Sequence, residues 1–231
     1  MDFTLDFDGQ KILIEKVYHR KNQIRLTVNK DLQVKIFCSK STPDYFLLDF
    51  IRKREKWIQK HIGKFQEKKV VHEALYTEGS SFRYLGKKYS LHFINRAENY
   101  IEIFEDKIII ASAELIEKDK AESILKHWLT QSGKKYFPPI VDKYLAMLSK
   151  YNLSIETLYI RPMTSRWGTC NLRSKKITLN ALLMQEHPDF IEYVILHELC
   201  HLKHPNHSKR FYNFVAEFMP NWQENRRLRG K

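Results

Sequence analysis

The sequence predicts an α+β protein in which a β-rich first half precedes a helical half that contains a short sheet. Two observations lead to this prediction. Up to about residue 112, short segments rich in β-branched and aromatic residues alternate with turn signals, as strands and hairpins do. Beyond that point apolar residues recur at helical spacing, and only two short strand-like segments interrupt them. We therefore expect two regions, residues 1–112 and residues 113–231.

The first region contains two predicted strand sets with one helix between them. KILIEKVYH, QIRLTVN and LQVKIF make up the first set, with a hairpin turn at Asn29–Asp31. The helix opens at Pro43 and carries apolar residues at helical spacing until Gly63, which lies near its end. Two hairpins follow, one turning at Gly86 and the other at Glu105–Asp106. No internal repeat is evident in the sequence.

The second region begins with a long amphipathic helical segment, in which Pro138–Pro139 must start a new helix or kink the existing one. TLYIRP and KKITLNALLM are its two predicted strands. The second of these is either an edge strand that could pair with an extended peptide or an ordinary core strand. PDFIEYVILHELCHL is predicted to be a helix that starts at Pro188 and Asp189, and Ser208 can cap a further helix.

Composition narrows the class of protein. The 231 residues are 43% hydrophobic, which is typical of a globular chain. Lys and Arg number 40 against 27 Asp and Glu, and the net charge of +13 favours nucleic acid, acidic proteins or anionic surfaces as partners, although a basic protein without such a partner fits equally well. Three cysteines form no disulfide framework, and MDFTLDFDGQ lacks the apolar core of a signal peptide. No apolar run approaches the roughly 20 residues that span a bilayer, so we expect a cytoplasmic protein without a membrane partner.

HELCHLKHPNH, from His197 to His207, is the segment richest in metal-binding side chains. His197 and His201 stand at positions i and i+4, which lie on one face of a helix. Both imidazoles can therefore reach one Zn²⁺ ion, and Glu198 between them sits beside the water on that ion. This H-E-x-x-H spacing predicts one catalytic zinc ion.

A catalytic zinc needs a third protein ligand, and two histidines compete for the place. On an uninterrupted helix His204 would lie at i+7 from His197, a rise of roughly 10.5 Å, too far for both to bind one ion. Pro205 should also end the helix, after which the chain can fold back and present His207. We therefore favour His197, His201 and His207 over a set that uses His204. His204 would then support a ligand or contact the substrate.

Glu198 is predicted to be the catalytic acid and base. Zinc lowers the pKa of its bound water to about 7, and a neighbouring carboxylate can take a proton from that water and deliver it to the leaving amine. Candidates for a second contact to the developing oxyanion are His204, Tyr212 and Arg166, among which the sequence does not choose. Arg166 and Trp167 together form either a substrate-facing wall with an anion contact or a packed, structural pair.

The runs RWGTCNLRSKKITLN and IEYVILHELCHLKHPNHSKRFY resemble the YgjP-like zinc metallopeptidase family, formerly a domain of unknown function. That family shows an R-W-G-[ST]-C segment, a strand, and an HELxH helix followed by a Pro-Asn-His-Ser turn. WIQKH and YLGKKY also resemble its N-terminal region. The resemblance implies a zincin-like fold with His197, His201 and His207 as ligands and Glu198 as the catalytic residue. The spacing equals that of metzincins too, but His204 replaces their glycine.

These observations predict a zinc-dependent metallopeptidase that acts on protein or peptide substrates. The alternative is a zinc ribonuclease, or a nucleic-acid-associated protein with the same three-histidine site, which the positive charge would suit. The basic runs RKREK, RSKK and RRLRGK are either solvated surface or part of a nucleic-acid surface. Basic zincins that resemble the SprT-like group act on DNA-bound proteins, but this is analogy at the level of the fold. The sequence does not predict the oligomeric state.

Overall fold

A computed structural model describes residues 2–7, 9–20, 23–29, 31–74 and 76–230, with the side chains of residues 10 and 67–74 left out. Internal contacts divide the chain into two units, residues 1–74 and residues 75–231. The α+β class is confirmed, because three sheets alternate with helices along the chain. The change from strand to helix near residue 112 lies inside the second unit, and a domain boundary at that point stays a prediction.

The first unit is a four-stranded sheet followed by two helices. The strands pair in the order β1-β2-β4-β3, with a parallel pair at the centre and an antiparallel hairpin on each side. Leu47, Ile51 and Ile58 are fully buried and pack in one core with the inner face of the sheet. The elements are β1 (Phe3–Phe7), β2 (Gln10–Tyr18), β3 (Arg25–Val28), β4 (Val34–Cys38), α1 (Asp44–Arg52) and α2 (Glu55–Ala74).

Two sequence predictions in this unit have clear outcomes. The hairpin at Asn29–Asp31 is confirmed, with the amide of Leu32 donating to the carbonyl of Asn29, while Lys30 lies outside the described residues. The prediction of a single helix that ends near Gly63 is wrong. The helix breaks at Lys53–Arg54, and Gly63 lies inside α2. The periodicity hides this break because Ile51 and Ile58 are seven residues apart, which is close to two helical turns.

The second unit opens with a sheet that repeats the pairing of the first. Its strands have the order β5-β6-β8-β7, again with a central parallel pair and a hairpin on each side. The turns at Gly86 and at Glu105–Asp106 are confirmed. The elements are β5 (Ser81–Tyr84), β6 (Lys87–Asn95), β7 (Tyr100–Phe104) and β8 (Lys107–Ser112). The chain therefore contains two sheets of one topology, although the sequence shows no evident repeat.

A long helix and a three-stranded sheet follow. The helix α3 (Lys118–Met147) continues through Pro138–Pro139, so no new helix begins there. It buries Phe137, Val141 and Tyr144, and this packing offsets the lost backbone hydrogen bonds. The sheet has the order β10-β11-β9, with β9 (Thr157–Arg161), β10 (Gly168–Asn171) and β11 (Lys176–Asn180). Of the two alternatives left open for KKITLNALLM, the structure supports the core strand, because β11 is central in this sheet and the short β10 is an edge.

Three helices complete the second unit, namely α4 (Pro188–Cys200), α5 (Lys209–Phe218) and α6 (Trp222–Arg227). The β5–β6 turn packs against the start of α4. Gly86 has a φ of +77°, and a Cβ atom there would meet the Cα of His187 at 3.1 Å, so the turn needs a glycine. The amide of Leu85 donates to the carbonyl of Met184 beside it. Among the described helices, none has the combined length and hydropathy that a bilayer crossing demands.

Candidate active site

The three clustered histidines come from the end of α4 and from the turn that follows it. α4 is buried on nearly all sides, so it runs through the core of the second unit. His197 lies in its last turn, and His201 caps its carboxyl end. Beyond Pro205 the chain turns back towards Ser208, the residue before α5. This return brings His207 to the other two histidines.

The distances among the imidazoles match the demands of a metal ion. Nε2 of His197 lies 3.2 Å from Nε2 of His201 and 2.9 Å from Nε2 of His207. One ring nitrogen from each residue lies within 4.8 Å of the others. In a tetrahedral zinc site, bonds of about 2.0–2.1 Å place two nitrogens roughly 3.3–3.4 Å apart. The three residues therefore fit a zinc ion.

Hydrogen bonds on the far side of two rings support this orientation. Nδ1 of His201 lies 3.1 Å from the carbonyl oxygen of His204. A carbonyl can only accept, so Nδ1 carries the proton and Nε2 of His201 presents its lone pair to the cluster. Nδ1 of His197 lies 3.4 Å from the hydroxyl of Tyr193, a longer contact of the same kind. In both residues, Nδ1 lies on the side of the ring away from the cluster and makes the contact that orients the ring.

Burial keeps the two helical histidines neutral. It lowers the pKa of His197 to about 3, with smaller effects in the same direction from His201, His207 and Arg226. Burial also lowers the pKa of His201, against the opposing hydrogen bond to the carbonyl of His204. Neutral imidazole is the form that binds a metal ion. These two positions are therefore ready to ligate at neutral pH.

Glu198 is the buried carboxylate of the site. Its side chain sits on α4 between the two helical histidines, and the residue is only 7% exposed. Burial raises the pKa of Glu198 to about 7, and the positive charge of Arg166 opposes this shift. A carboxyl group with this pKa can both accept and release a proton near neutral pH.

A cleft of about 490 Å³ opens over the histidines and the glutamate. Its floor is formed by His197, Glu198, His201 and His207. One wall is the edge strand β10 with Arg166 just before it. An extended ligand in this cleft would therefore lie between a strand edge and the histidine cluster. The residues of β10 that line the cleft are Gly168, Thr169 and Cys170, and Leu172 and Pro205 complete the lining.

Asn180 holds the loop that leads into this wall. Its side-chain oxygen accepts from the amides of Met163 and Leu182, each at 3.0 Å. Its side-chain nitrogen donates to the carbonyls of Met163 at 2.9 Å and Arg166 at 2.8 Å. The backbone amide of Asn180 also donates to the carbonyl of Trp167. Asn180 is only 3% exposed, and three of its four side-chain hydrogen bonds hold the loop at Met163 and Arg166, while the fourth goes to the amide of Leu182.

The structure separates the other predicted site residues into two groups. Arg166 lines the cleft, and Trp167 lines a neighbouring pocket, where its ring packs edge-on against Phe190 at 5.9 Å. The imidazole of His204 packs edge-on against Phe214, and only its backbone carbonyl touches the histidine cluster. Tyr212 stacks on the rings of His207, at 6.1 Å, and Trp222, at 4.8 Å. Neither His204 nor Tyr212 is among the residues that line the cleft.

Sequence reasoning missed four residues that shape the site, namely Gly168, Asn180, Tyr193 and Arg226. Tyr193 had a usable signal, because it stands four residues before His197 on the same helical face. Gly168 and Asn180 lie in the resembling segment, but nothing in their spacing relates them to Glu198. Arg226 lies in the basic C-terminal segment, whose short helix α6 the sequence did not predict.

Three imidazoles in contact, with a buried glutamate beside two of them in one cleft, are typical of metal-dependent hydrolases. The sequence model of the YgjP-like metallopeptidase domain matches residues 22–229, and the chain belongs to this family. At the level of the family it is therefore a metallopeptidase, a hydrolase of peptide bonds that depends on a divalent metal ion.

Seven chains of solved structures match this protein. One is the metallopeptidase zymogen jannalysin of Methanocaldococcus jannaschii, with 28% identity over 38% of this chain and 88% of that chain, and a TM-score of 0.34. Another is the metallopeptidase zymogen abylysin of Pyrococcus abyssi, with 22% identity over 38% of this chain and 85% of that chain, and a TM-score of 0.34. Among curated proteins, none matches this chain.

Proposed function

We propose that this protein is a zinc-dependent peptidase in which His197, His201 and His207 hold the ion and Glu198 transfers the proton. The observation that carries the proposal is the convergence of three Nε2 atoms beside a buried glutamate. Three imidazoles whose ring nitrogens meet suit zinc better than the harder divalent ions, which prefer oxygen ligands. Family membership supports the peptidase activity.

The proposed chemistry uses the carboxylate of Glu198 twice. Zinc, when bound, acidifies water and polarises the substrate carbonyl. Glu198 accepts a proton from the attacking water as the oxygen bonds to the carbonyl carbon. It then delivers this proton to the leaving nitrogen as the peptide bond breaks. The water thus supplies the hydroxyl of the new carboxyl group and a hydrogen of the new amine.

Arg166 is the best-placed candidate for contact with the developing oxyanion. It lines the cleft, and its charge acts on Glu198, as the opposing effect on the pKa of Glu198 indicates. The other two candidates, His204 and Tyr212, are absent from the cleft lining. A guanidinium donates hydrogen bonds to an oxyanion without first losing or gaining a proton.

The edge strand β10 suggests how a peptide is held. In the described sheet β10 pairs with β11 alone, and its residues Gly168, Thr169 and Cys170 line the cleft. An extended peptide can add to such an edge through backbone hydrogen bonds. This mode of binding would align the scissile bond along the cleft floor. It favours unfolded or extended segments as substrates.

The first test is cleavage of a fluorescently labelled unfolded protein by the zinc-loaded chain and by Glu198→Gln. We expect the variant to lose at least about 100-fold in rate while it keeps one zinc per chain, because the amide cannot accept the proton. Glu102→Gln, an exposed strand residue, is the matched control and should remain fully active. Full activity of Glu198→Gln would remove the glutamate from the mechanism. Cleavage of RNA but not of protein by the same zinc-loaded chain would overturn the peptidase in favour of the ribonuclease.

A further inference from the structure

A second pocket of about 280 Å³ reaches the same catalytic groups. It shares Gly168, His197 and Glu198 with the cleft over the histidines. A side chain in this pocket would therefore belong to a substrate whose backbone lies in the cleft. We call it the arginine pocket, after the two residues Arg226 and Arg229 that line it.

The walls of the arginine pocket are aromatic and fixed in place. The ring of Trp167 packs edge-on against Phe190, and the ring of Tyr193 stacks on Trp222 at 6.2 Å. Such aromatic walls can pack against the methylene groups of a side chain. The charged residues of the pocket can then bind the polar end of that side chain.

Arg226 and Arg229 bring two positive charges to this pocket. The guanidinium carbon of Arg229 lies 5.6 Å from the centre of the Trp167 ring, a distance typical of a cation–π contact. The amide of Gly230, the next residue, donates to the carboxylate of Glu186 at 2.6 Å and anchors this end of the chain. Arg226 lines this pocket together with His197 and Glu198.

Neither guanidinium has a carboxylate partner within ion-pair distance in the part of the chain that the structure describes. Glu198 is the one carboxylate among the residues that line the arginine pocket, and it stands against two arginines. The pocket therefore carries a net positive charge of its own beside the site of hydrolysis. A negatively charged group of a ligand would pair with these guanidinium groups and balance their charge.

We propose that the arginine pocket is a specificity subsite that binds the carboxylate of an Asp or Glu side chain next to the scissile bond. This inference rests on the proposed peptidase function and names its substrate class, which is extended segments with an acidic residue at the cleavage point. Arg226 and Arg229 bind the carboxylate, while Trp167 and Tyr193 pack against its methylene groups. The chain's net charge of +13 would draw acidic segments towards the same site.

Binding is the direct test, because it needs no turnover. The probes are two fluorescein-labelled alanine-based decapeptides that differ only in a central Glu or Gln. Zinc-loaded Glu198→Gln should bind the Glu peptide about tenfold more tightly, as a charge-assisted hydrogen bond of about 1.5 kcal/mol gives. Adding Arg226→Ala and Arg229→Ala should remove this preference. Fluorescence anisotropy measures each affinity.

The matched control removes the same charge elsewhere. Arg227 and Lys134 are exposed and line neither pocket, so Arg227→Ala with Lys134→Ala should keep the preference. Equal affinity for the two peptides would overturn the subsite. So would a preference that survives the loss of Arg226 and Arg229, or one that the control pair also abolishes, since both would mean general charge attraction.

Mapping of cleavage sites separates this inference from the proposed function. Wild-type protein should cut an unfolded protein mainly next to Asp or Glu, as mass spectrometry of the products shows. Cleavage without acidic preference would overturn the subsite and leave the peptidase standing. No cleavage, together with selective binding of the Glu peptide through Arg226 and Arg229, would overturn the peptidase and leave the carboxylate subsite standing.

Discussion

Gly168 and Glu198 lie so close together that no side chain fits between them. A Cβ atom on Gly168 would stand 2.6 Å from Cγ, 2.7 Å from Oε1 and 2.8 Å from Cδ of Glu198. The backbone of the edge strand β10 thus rests directly on the carboxylate. Because Glu198 is buried by this contact, a larger residue at position 168 must push the carboxylate away from the histidine cluster.

Gly168→Ala should therefore impair proton transfer without removing the metal. A displacement of about 1 Å in a catalytic group can cost roughly 100-fold in rate, and we expect a loss of that order in kcat. The zinc content should stay at one per chain, because the three atoms nearest to the added methyl group all belong to Glu198 and none to a histidine. Steady-state cleavage and metal analysis of the purified variant measure the two effects.

Gly63→Ala is the control for this substitution. Gly63 lies inside α2, and a Cβ atom there would meet nothing within 4 Å. This variant should keep full activity and gain roughly 0.5–1 kcal/mol in free energy of unfolding, because alanine favours a helix more than glycine does. If Gly168→Ala were as active as Gly63→Ala, the contact with Glu198 would have no part in catalysis.

Local spacing in the sequence predicted the part of the site that lies within one segment. The i, i+4 rule placed His197 and His201 on one face, and Pro205 indicated the end of the helix. The structure brings His207 to the other two histidines, as that argument requires. Its role as a ligand stays a prediction.

The rest of the site depends on contacts between distant segments. Asn180 and Arg166 meet through the path of a loop, and Gly168 reaches Glu198 through the register of β10 on β11. The spacing of residues within one segment cannot predict a contact between two distant segments. The strand β10 itself was missed because GTCN is short, polar in part and without alternation. The shared topology of the two four-stranded sheets was missed for a similar reason, because the order in which strands pair is not evident from the amino-acid sequence of each strand.

His207→Ala and His204→Ala should separate the two candidate third ligands. His207→Ala removes a nitrogen from the cluster, and we expect zinc affinity to fall by more than about 100-fold. This loss exceeds the roughly 10- to 100-fold loss that follows when a residue hydrogen-bonded to a metal ligand is removed. His204→Ala should change it little, because the hydrogen bond to His201 comes from the backbone carbonyl. Competition with a chromophoric chelator measures both affinities. A large loss in His204→Ala with none in His207→Ala would show that the imidazole of His204 is the ligand.

Asn180→Ala should destabilise the protein through the loop that carries Arg166. The substitution leaves two amides and two carbonyls without their partner in a partly buried place, at Met163, Arg166 and Leu182. We expect the free energy of unfolding to fall by about 2–4 kcal/mol. Urea denaturation measures this loss. Asn95→Ala, at an exposed strand end, is the control and should lie within about 0.5 kcal/mol of wild type, and an equal effect of the two would contradict the assigned role.

Glu192 should make stability depend on pH, because it joins α4 to α3. Its Oε2 accepts hydrogen bonds from Nζ of Lys143 at 2.8 Å and from the hydroxyl of Tyr144 at 2.7 Å. Burial acts in the opposite direction, but these bonds lower the pKa of Glu192 overall. A carboxyl group whose folded pKa lies below its unfolded value stabilises the fold above that unfolded value, and the contribution disappears as pH falls through the folded pKa.

Glu192→Gln should therefore lower the free energy of unfolding by about 1 kcal/mol at pH 7, a modest amount because the carboxylate is partly exposed. The difference from wild type should shrink as pH falls below about 4.3, the ordinary value for Glu, because the unfolded state takes up the proton first and the folded state follows at lower pH. Urea denaturation from pH 7 to pH 3, with a chelator present so that metal release does not contribute, measures the difference. Glu102→Gln should show no such trend, since its side chain is exposed. A difference between wild type and Glu192→Gln that stayed constant with pH, or grew in acid, would mean that the ionised form of Glu192 adds nothing to the α3–α4 contact.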